Sequence, residues 1–226
     1  MGKELKAQKR IRLLEADPEL AAAMAPGREQ EARERLVAPV EAISRGSWKP
    51  RPTEPDAHLG YLMISGVLSR TVSVNGSHSA ELLDAGNLLR PWQGDPSTVS
   101  TISWQALEET RIAVLDPGVA KSIAEHPVLV AALVERATSR TRNLAVHWAI
   151  GNTVGLEKRV LLLFRHLSER WGRITPEGVE ISLPITHQLV SDLVGARRPS
   201  VTTALSALAR SGTLVRGSDG AWLLRH

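Results

Sequence analysis

The last third of the chain carries the clearest pattern of apolar and polar positions. In LEKRVLLLFRHLSERW (156–171) apolar residues recur every three or four positions, which predicts a helix that buries one face and ends at Gly172. ITHQLVSDLVG predicts a second, short helix with Thr186 as its N-cap and Gly195 at its end, and the stretch from Arg198 predicts a third. RITPEGVEISLP and TLVRGSDGAWLLRH predict hairpins, the second with its tip at Gly217 to Gly220.

This order of elements is typical of a winged helix-turn-helix domain, which we expect over residues 155–226. The helix-turn-helix itself consists of the second and third helices, joined by a tight turn at Gly195. Their apolar residues fall on facing sides, and we expect these to form the core between the two helices: Leu189, Leu193, Val201, Ala204, Leu205 and Leu208.

Between Val40 and Leu115 the pattern changes to short apolar runs separated by turn residues, which predicts a β-barrel or β-roll over residues 39–126. Asn75-Gly76 lies between two such runs and predicts a type I′ hairpin. TISWQAL and TRIAVLD predict two further strands. Pro50, Pro52 and Pro55 predict an exposed loop.

The first 38 residues predict an N-terminal helical appendage. Residues 3–24 and 28–38 are expected to form short helices, separated by Ala25-Pro26-Gly27, with Asp17-Pro18 at a turn or a helix start.

Residues 127–154 predict a long helix, from Pro127 to about Asn152, and a hinge at NTVG (152–155). Arg136, Arg140 and Arg142 lie off its apolar stripe. The stripe either packs on the β-domain or pairs with its copy in a dimer, and its small residues would allow a close approach of two helices. The stripe comprises Val130, Val134, Ala137, Thr141, Leu144, Trp148 and Gly151.

Composition narrows the function classes. The chain has 226 residues and no cysteine, which excludes disulfides and cysteine-ligated metal sites. It lacks an apolar run long enough for a membrane span, so we expect a soluble, cytoplasmic protein without membrane contact. Residues 155–226 hold 10 Lys and Arg against 6 Asp and Glu, which accounts for the whole net charge of +4. A basic C-terminal domain beside a neutral one is the expected footprint of a nucleic-acid binder.

The helix that begins near Arg198 is unusual on its outward side. A helical wheel places Pro199, Thr203, Ser206 and Arg210 opposite the apolar residues, and the stretch 196–212 contains no acid. Two arginines at its N-terminal end oppose the helix dipole, so helix stability explains them poorly. A phosphate or a guanine edge explains them better, which favours DNA as the partner.

LPITHQLVSDLVGARRPSVTTALSALARSGTLV resembles the DNA-binding domain of the cyclic-AMP receptor protein and FNR (Crp/Fnr) family of bacterial transcription regulators. The element order of nearly the whole chain is similar to that family, whereas the sequence motif is specific only from about Leu156 onward. The resemblance implies an α+β fold with an N-terminal cyclic-nucleotide-binding-like β-roll, a long dimerisation helix and a C-terminal winged helix-turn-helix.

The resemblance also implies roles for individual residues. Arg198 would be the main base reader, with Pro199 and Thr203 facing neighbouring bases. Residues expected to hold phosphates are Thr186, His187, Gln188, Arg197, Ser200 and Thr202. Pro199 departs from the glutamate often found there in the family. Because proline cannot accept a hydrogen bond from cytosine, the target sequence does not carry over, and contact with a thymine methyl is an alternative.

The β-roll lacks the residues that hold cyclic nucleotides in the family. Arg90-Pro91-Trp92 stand where the ribose acceptor would fall, and Ser100-Thr101 stand at the arginine-serine pair that holds the phosphate. We therefore expect no tight binding of cyclic AMP. Arg90, Trp92 and Trp104 could instead shape an effector pocket, or the tryptophans could be core and Arg90 a surface residue. His58 and His78 alone make no metal site, and no cofactor is indicated.

These observations together predict a homodimeric transcription regulator that binds double-stranded DNA and is not an enzyme. An unknown small-molecule effector and RNA polymerase are its other candidate partners. The alternative function is a small-molecule-binding β-roll protein that uses its winged helix for protein contacts.

Overall fold

The structure, a computed structural model, describes residues 9–24, 29–51, 58–91 and 100–225. The strands are β1 Arg10–Arg12, β2 Val37–Ile43, β3 Gly46–Trp48, β4 Gly60–Ser65, β5 Leu68–Val74, β6 Ser77–Leu83, β7 Leu88–Leu89, β8 Ser100–Ala106, β9 Thr110–Leu115, β10 Gly172–Thr175, β11 Gly178–Ile181, β12 Leu214–Arg216 and β13 Trp222–Leu224. The helices are α1 Leu13–Ala16, α2 Pro18–Ala22, α3 Glu29–Arg35, α4 Pro117–Ala124, α5 Pro127–Gly151, α6 Leu156–Trp171, α7 His187–Val194 and α8 Arg198–Arg210.

The strands before α4 form two sheets. Their strand orders are β1-β2-β9-β4-β7 and β3-β8-β5-β6, and the strands after α5 form a third sheet of order β10-β11-β13-β12. Asn75 and Gly76, between β5 and β6, both have positive φ, of 48° and 77°. Two consecutive positive φ values define a type I′ turn, so this prediction is confirmed. Of the three prolines expected in an exposed loop, Pro52 and Pro55 lie outside the described residues.

The N-terminal segment differs from the expected pair of helices. Residues 10–12 form β1, which pairs antiparallel with β2, and α3 ends at Arg35 so that Val37 is already in a strand. The helix start at Asp17-Pro18 is confirmed, since the Asp17 carboxylate accepts a hydrogen bond from the backbone N–H of Leu20. Leu13, Leu14 and Leu20 are fully buried in one core with Leu62 and Leu115. The segment is therefore part of the core of the sheet rather than an appendage.

The long helix α5 has 25 residues, close to the predicted span, and its faces differ. Leu129 and Leu133 are buried in the core that the N-terminal segment shares. On the same side, Arg136 binds the carboxylate of Asp17 through both terminal nitrogens, with Nη2 2.8 Å from Oδ1. Arg140 donates a hydrogen bond to the carbonyl of Leu88. Two of the three arginines expected off the apolar stripe, Arg136 and Arg140, thus attach α5 to the N-terminal segment and to β7.

The predicted apolar stripe of α5 lies on another face and is exposed in the single chain. Val134 is 59% exposed and Trp148 75%. Val130, Ala137, Thr141 and Leu144 are also exposed. The face of α5 that contains Leu129 packs on the core of the β-domain. The stripe does not pack there, and in the single chain it lies in solvent.

The chain divides into two compact units, and the division crosses α5. The first comprises the described residues among Met1–Arg70, Leu82–Gly94 and Ser103–Thr141. The second comprises those among Thr71–Glu81, Asp95–Ile102 and Arg142–His226. The four-part division expected from the sequence stays a prediction.

The winged helix-turn-helix elements occur in the predicted order, and their core is the predicted one. All six apolar residues expected between the second and third helices are buried. Phe164 of α6 packs against Trp222 of β13 at a ring distance of 4.9 Å. The indole Nε1 of Trp222 donates to the carbonyl of Ile185, which holds the segment that leads into α7.

Gly172 ends α6 as expected, but for a different reason than a left-handed cap. Its backbone is extended, with φ −84° and ψ 136°. A Cβ at this position would lie 2.3 Å from the carbonyl oxygen of Ser168 and 2.5 Å from Cγ1 of Val179. Glycine is therefore required here by close packing of α6 against β11.

Candidate nucleic-acid interface

The turn between α7 and α8 sets the direction of the exposed helix. The hydroxyl of Thr186 accepts a hydrogen bond from the backbone N–H of Leu189 at 3.1 Å and begins α7 as predicted. Gly195 ends α7 in the left-handed conformation, with φ 63° and ψ 44°. A Cβ at Gly195 would meet no atom within 4 Å, so the backbone conformation, rather than space, selects glycine.

The outward face of α8 consists of cationic and hydroxyl side chains. Arg198, Pro199 and Thr203 are exposed, whereas Val201, Ala204, Leu205 and Leu208 hold the helix to its domain. Ser200 and Thr202 are exposed as well, and Arg197 precedes the helix, also exposed. Because the helix contains no acidic residue, nothing on it neutralises the arginines.

The first turn of α8 is suited to an anion. Arg197 occupies the N-cap position but makes no side-chain capping bond, so the backbone N–H groups of the first turn lack a cap from within the helix. Pro199 removes one of these donors at no cost, because it has no N–H to leave unpaired. Uncapped N–H groups and the positive end of the helix dipole, next to two arginines, favour a negatively charged partner.

The residues at the start of α7 are placed differently from one another. Gln188 donates from its amide nitrogen to Oδ1 of Asp192 at 2.9 Å and to Oγ of Ser191 at 3.2 Å. Its amide is thus engaged on its own helix, and a phosphate contact would have to compete with Asp192. His187 lies against α8 instead, with its Nδ1 3.0 Å from Oγ1 of Thr202.

Positive charge surrounds the imidazole of His187. Partial burial, together with the charges of Arg216 and Arg198, holds the pKa of His187 below its usual value of 6.5. Arg216, on strand β12, lies over the ring of Trp222 at 5.4 Å from its centre. His187 and Trp222 are themselves neighbours, with ring centres 6.2 Å apart. One histidine from α7 and one arginine each from α8 and β12 therefore belong to a single positive region.

Three residues that support this surface were missed by the sequence reasoning. Arg159 of α6 donates to the carbonyl of Val194, at the end of α7, and to the carbonyl of Thr153, in the segment after α5. Trp222 and Arg216 complete the set through the contacts given above. An arginine on a helix gives no sequence signal for such backbone contacts, because its partners lie up to 35 positions away.

Of the three predicted effector residues, the structure describes Arg90 and Trp104. Trp104 is only 5% exposed and packs edge-on against Trp48, with ring centres 5.6 Å apart. Arg90 lies exposed after β7. Trp92 lies outside the described residues, as do residues 93–99 that follow it. The effector pocket therefore stays a prediction.

The described residues contain neither a metal-binding cluster nor a membrane-spanning helix. Residues 9–24, 29–51, 58–91 and 100–225 contain no group of three or more His, Asp or Glu side chains that could hold a metal ion. Within the same ranges no helix is long and apolar enough to cross a membrane.

Comparison with known proteins agrees with this geometry. Residues 158–225 match the family model of the Crp-like helix-turn-helix domain. No curated protein sequence matches the chain.

Several solved structures share the fold of most of the chain. A mutant of CooA from Carboxydothermus hydrogenoformans is 17% identical, with a TM-score of 0.64, and the match covers 84% of each chain. FixK2 from Bradyrhizobium japonicum is 16% identical, with a TM-score of 0.64, over 84% of this chain and 93% of that one. The c-di-GMP responsive regulator CLP from Xanthomonas campestris is 16% identical, with the same TM-score, over 84% and 94%. The predicted α+β architecture, with a β-roll, a long helix and a helix-turn-helix domain, is confirmed.

Proposed function

We propose that this chain, a DNA-binding transcription regulator with a Crp-like helix-turn-helix domain and the fold of the Crp/Fnr regulators, acts as a homodimer that reads a palindromic DNA site. The observation that carries the proposal is the outward face of α8, which is exposed, free of acids and cationic at its N-terminal end. Such a face has little to gain from a protein core and much to gain from DNA.

Within this proposal, the residues of α8 divide into base readers and phosphate contacts. Arg198, at the first position of the helix, is the main base reader, because an arginine there can bind O6 and N7 of guanine together. Pro199 and Thr203 face the neighbouring bases and offer apolar contact to a thymine methyl. The phosphate contacts are Thr186, His187, Gln188, Arg197, Ser200 and Thr202.

The dimer uses the exposed stripe of α5. Its valines and Trp148 leave apolar surface in water, and Ala137 and Thr141 are small enough for a second helix to approach closely. A two-fold axis along paired α5 helices would present two α8 helices about 34 Å apart, one turn of DNA, to successive major grooves.

A signal received by the β-roll would act through the segment after α5. Asn152 and Thr153 donate side-chain hydrogen bonds to the carbonyls of Trp148 and Ala149, and Arg159 binds the carbonyl of Thr153. A shift of α5 would therefore be passed to α6 and α7. We propose a cytoplasmic location, a small-molecule effector other than cyclic AMP, RNA polymerase as a further partner, and no catalytic activity.

Selection of DNA fragments by the purified full-length chain tests the proposal. We expect enrichment of a palindrome with half-sites one helical turn apart, and a linear fall of the logarithm of the association constant with the logarithm of salt concentration, by about 0.9 per neutralised phosphate. Sedimentation at the same protein concentration should give a dimer. Recovery of random fragments, with an affinity that salt does not change, would contradict the proposal.

A further inference from the structure

A histidine stands at the junction of three elements of the candidate interface. His187 is the first residue of α7, and its Nδ1 contacts Thr202 on α8. Its ring lies beside the ring of Trp222 on β13, and the guanidinium of Arg216 lies over that indole ring. The side chain is partly exposed. Among the described residues, the hydrogen bond with Thr202 is the only one that its ring makes. Nε2 therefore remains available to a ligand.

The charges that act on this ring are all positive. Arg198 comes from α8 and Arg216 from β12, and both disfavour a further positive charge on His187. Asp192, on the same helix, is held by Gln188 and is not among the charges that act on the ring. In the unbound protein, partial burial together with these two arginines therefore lowers the pKa of His187 from its usual value and favours the neutral form of the ring.

A DNA phosphate bound beside His187 shifts the protonation equilibrium of the imidazole towards its charged form. The phosphodiester brings a negative charge to a region that holds two arginines, so it favours the charged form of the imidazole. Once protonated, both ring nitrogens donate: Nδ1 to Oγ1 of Thr202, and Nε2 to a phosphate oxygen. Neutral His187 offers the phosphate at most a weaker hydrogen bond and no charge.

We propose that DNA binding by this protein is coupled to proton uptake at His187, so that the chain binds its site more tightly as the pH falls. This inference rests on the proposed function, because it takes DNA phosphate as the ligand. It makes the affinity for DNA a function of pH even when the β-roll is unoccupied.

The direction of the effect follows from linkage. If bound DNA raises the pKa of His187, the complex holds more protons than the separate molecules in the pH range between the two pKa values. The association constant then rises as pH falls through that range. The gain is roughly tenfold for each unit of pKa that DNA adds per subunit.

The test measures the association constant of the full-length protein for its selected duplex between pH 6 and pH 8 at fixed ionic strength, by fluorescence anisotropy. Two variants fix the charge of residue 187: His187→Gln is neutral at every pH, and His187→Arg is always cationic. His126→Gln, in the other unit, is the matched control. Thermal unfolding of each variant checks that the fold is retained.

The expected results differ between the variants. His187→Gln should lose the gain, so that its association constant changes little between pH 8 and pH 6, whereas His187→Arg should bind at pH 8 about as tightly as the wild type does at pH 6. His126→Gln should keep the wild-type profile. The wild-type salt slope should be steeper at pH 6 than at pH 8 by about 0.9 per subunit, and that of His187→Gln should be the same at both.

Two failures can be told apart. If specific DNA binding occurs but His187→Gln keeps the wild-type dependence on pH, the coupling is overturned while the proposed function stands. If no variant binds the duplex at any pH, the proposed function itself is wrong, and the coupling with it.

Discussion

Helices α5 and α8 share one design and differ in the chemistry of the side that faces solvent. Each buries one apolar face, through Leu129 and Leu133 for α5 and through Val201 and Leu205 for α8. The exposed stripe of α5 is largely apolar, with Val134 and Trp148 in water, whereas the exposed face of α8 is cationic and hydroxylic.

The difference indicates two kinds of partner. Apolar surface in water costs about 25 cal/mol per Å², so the stripe of α5 gains free energy when another protein surface covers it. The outward face of α8 gains little from contact with an apolar protein surface, because its guanidinium groups would lose their hydrogen bonds to water and meet no acidic side chain in exchange. DNA phosphates and guanine edges supply that partner. In the proposed function, one helix thus faces a second subunit and the other faces DNA.

A charge placed on the α5 stripe should have the largest effect. Val134→Asp would bury two uncompensated carboxylates in a dimer, a penalty of several kcal/mol, so we expect a monomer in sedimentation velocity. Because Val134 is exposed in the single chain, the unfolding temperature of the monomer should change little. Ser139→Asp, on an exposed side of α5 outside the stripe, should remain a dimer. A dimeric Val134→Asp would show that this face is not the interface.

The opposite side of α5 can be tested through its ion pair. Asp17→Ala removes the partner of the partly buried Arg136 guanidinium and the cap of α2, so we expect the free energy of unfolding to fall by about 3–5 kcal/mol in urea denaturation. Glu19→Ala is the control, since that carboxylate is 90% exposed and 3.7 Å from Arg136. Equal effects of the two substitutions would mean that the pair does not anchor the helix.

On α8, substitution of Arg198 should alter sequence selection rather than folding. Arg198→Ala should cost roughly 1–3 kcal/mol of binding free energy per contacted guanine and relax specificity at one position in each half-site. Arg210→Ala, at the far end of the same helix, should leave the selected sequence unchanged. A randomised-oligonucleotide selection measures both, and unchanged selection by Arg198→Ala would assign base reading to another residue.

The smallest expected effect concerns the end of α5. Burial and the ring of His166, 5.0 Å away, lower the pKa of His147 to about 4, against the weaker opposing charge of Glu81. The unfolded chain, with a pKa near 6.5, then binds more protons than the native one between pH 4 and pH 6.5. The free energy of unfolding should therefore decrease as pH falls from 6.5 towards 4.

This dependence should be weaker in His147→Gln, where the titrating group is gone, and unchanged in His126→Gln. Urea denaturation at pH 7, 6 and 5 provides the comparison. An identical decline in all three proteins would assign the acid sensitivity to other groups.

Local signals in the sequence predicted the elements that depend on neighbouring residues. The Asn75-Gly76 turn, the Thr186 cap and the Gly195 turn each follow from the chemistry of one or two side chains, and each is confirmed. The bounds of α5 follow from a long helical repeat of apolar residues, which begins at Pro127 and ends at the NTVG segment (152–155). Strand β1 was missed, because its pairing with β2 joins residues 25 to 29 positions apart and three residues are too few to show a period.

The candidate interface was predictable to a similar extent. The outward face of α8 follows from the helical period, and its residues are exposed as expected, although their roles with DNA stay predictions. The engagement of Gln188 with Asp192 and the positive region around His187 required the structure, because they depend on side-chain directions and on contacts between separate elements.

The sequence by itself determined which faces of α5 and α8 are apolar, since helical period and residue type are local properties. Only the tertiary structure decided which apolar face is core and which is left in water. Leu133 and Val134 are both apolar, so their different burial depends on what the rest of the chain brings against each. The same physics placed Asp17 on Arg136 across 119 positions and set Arg216 beside His187, far along the chain.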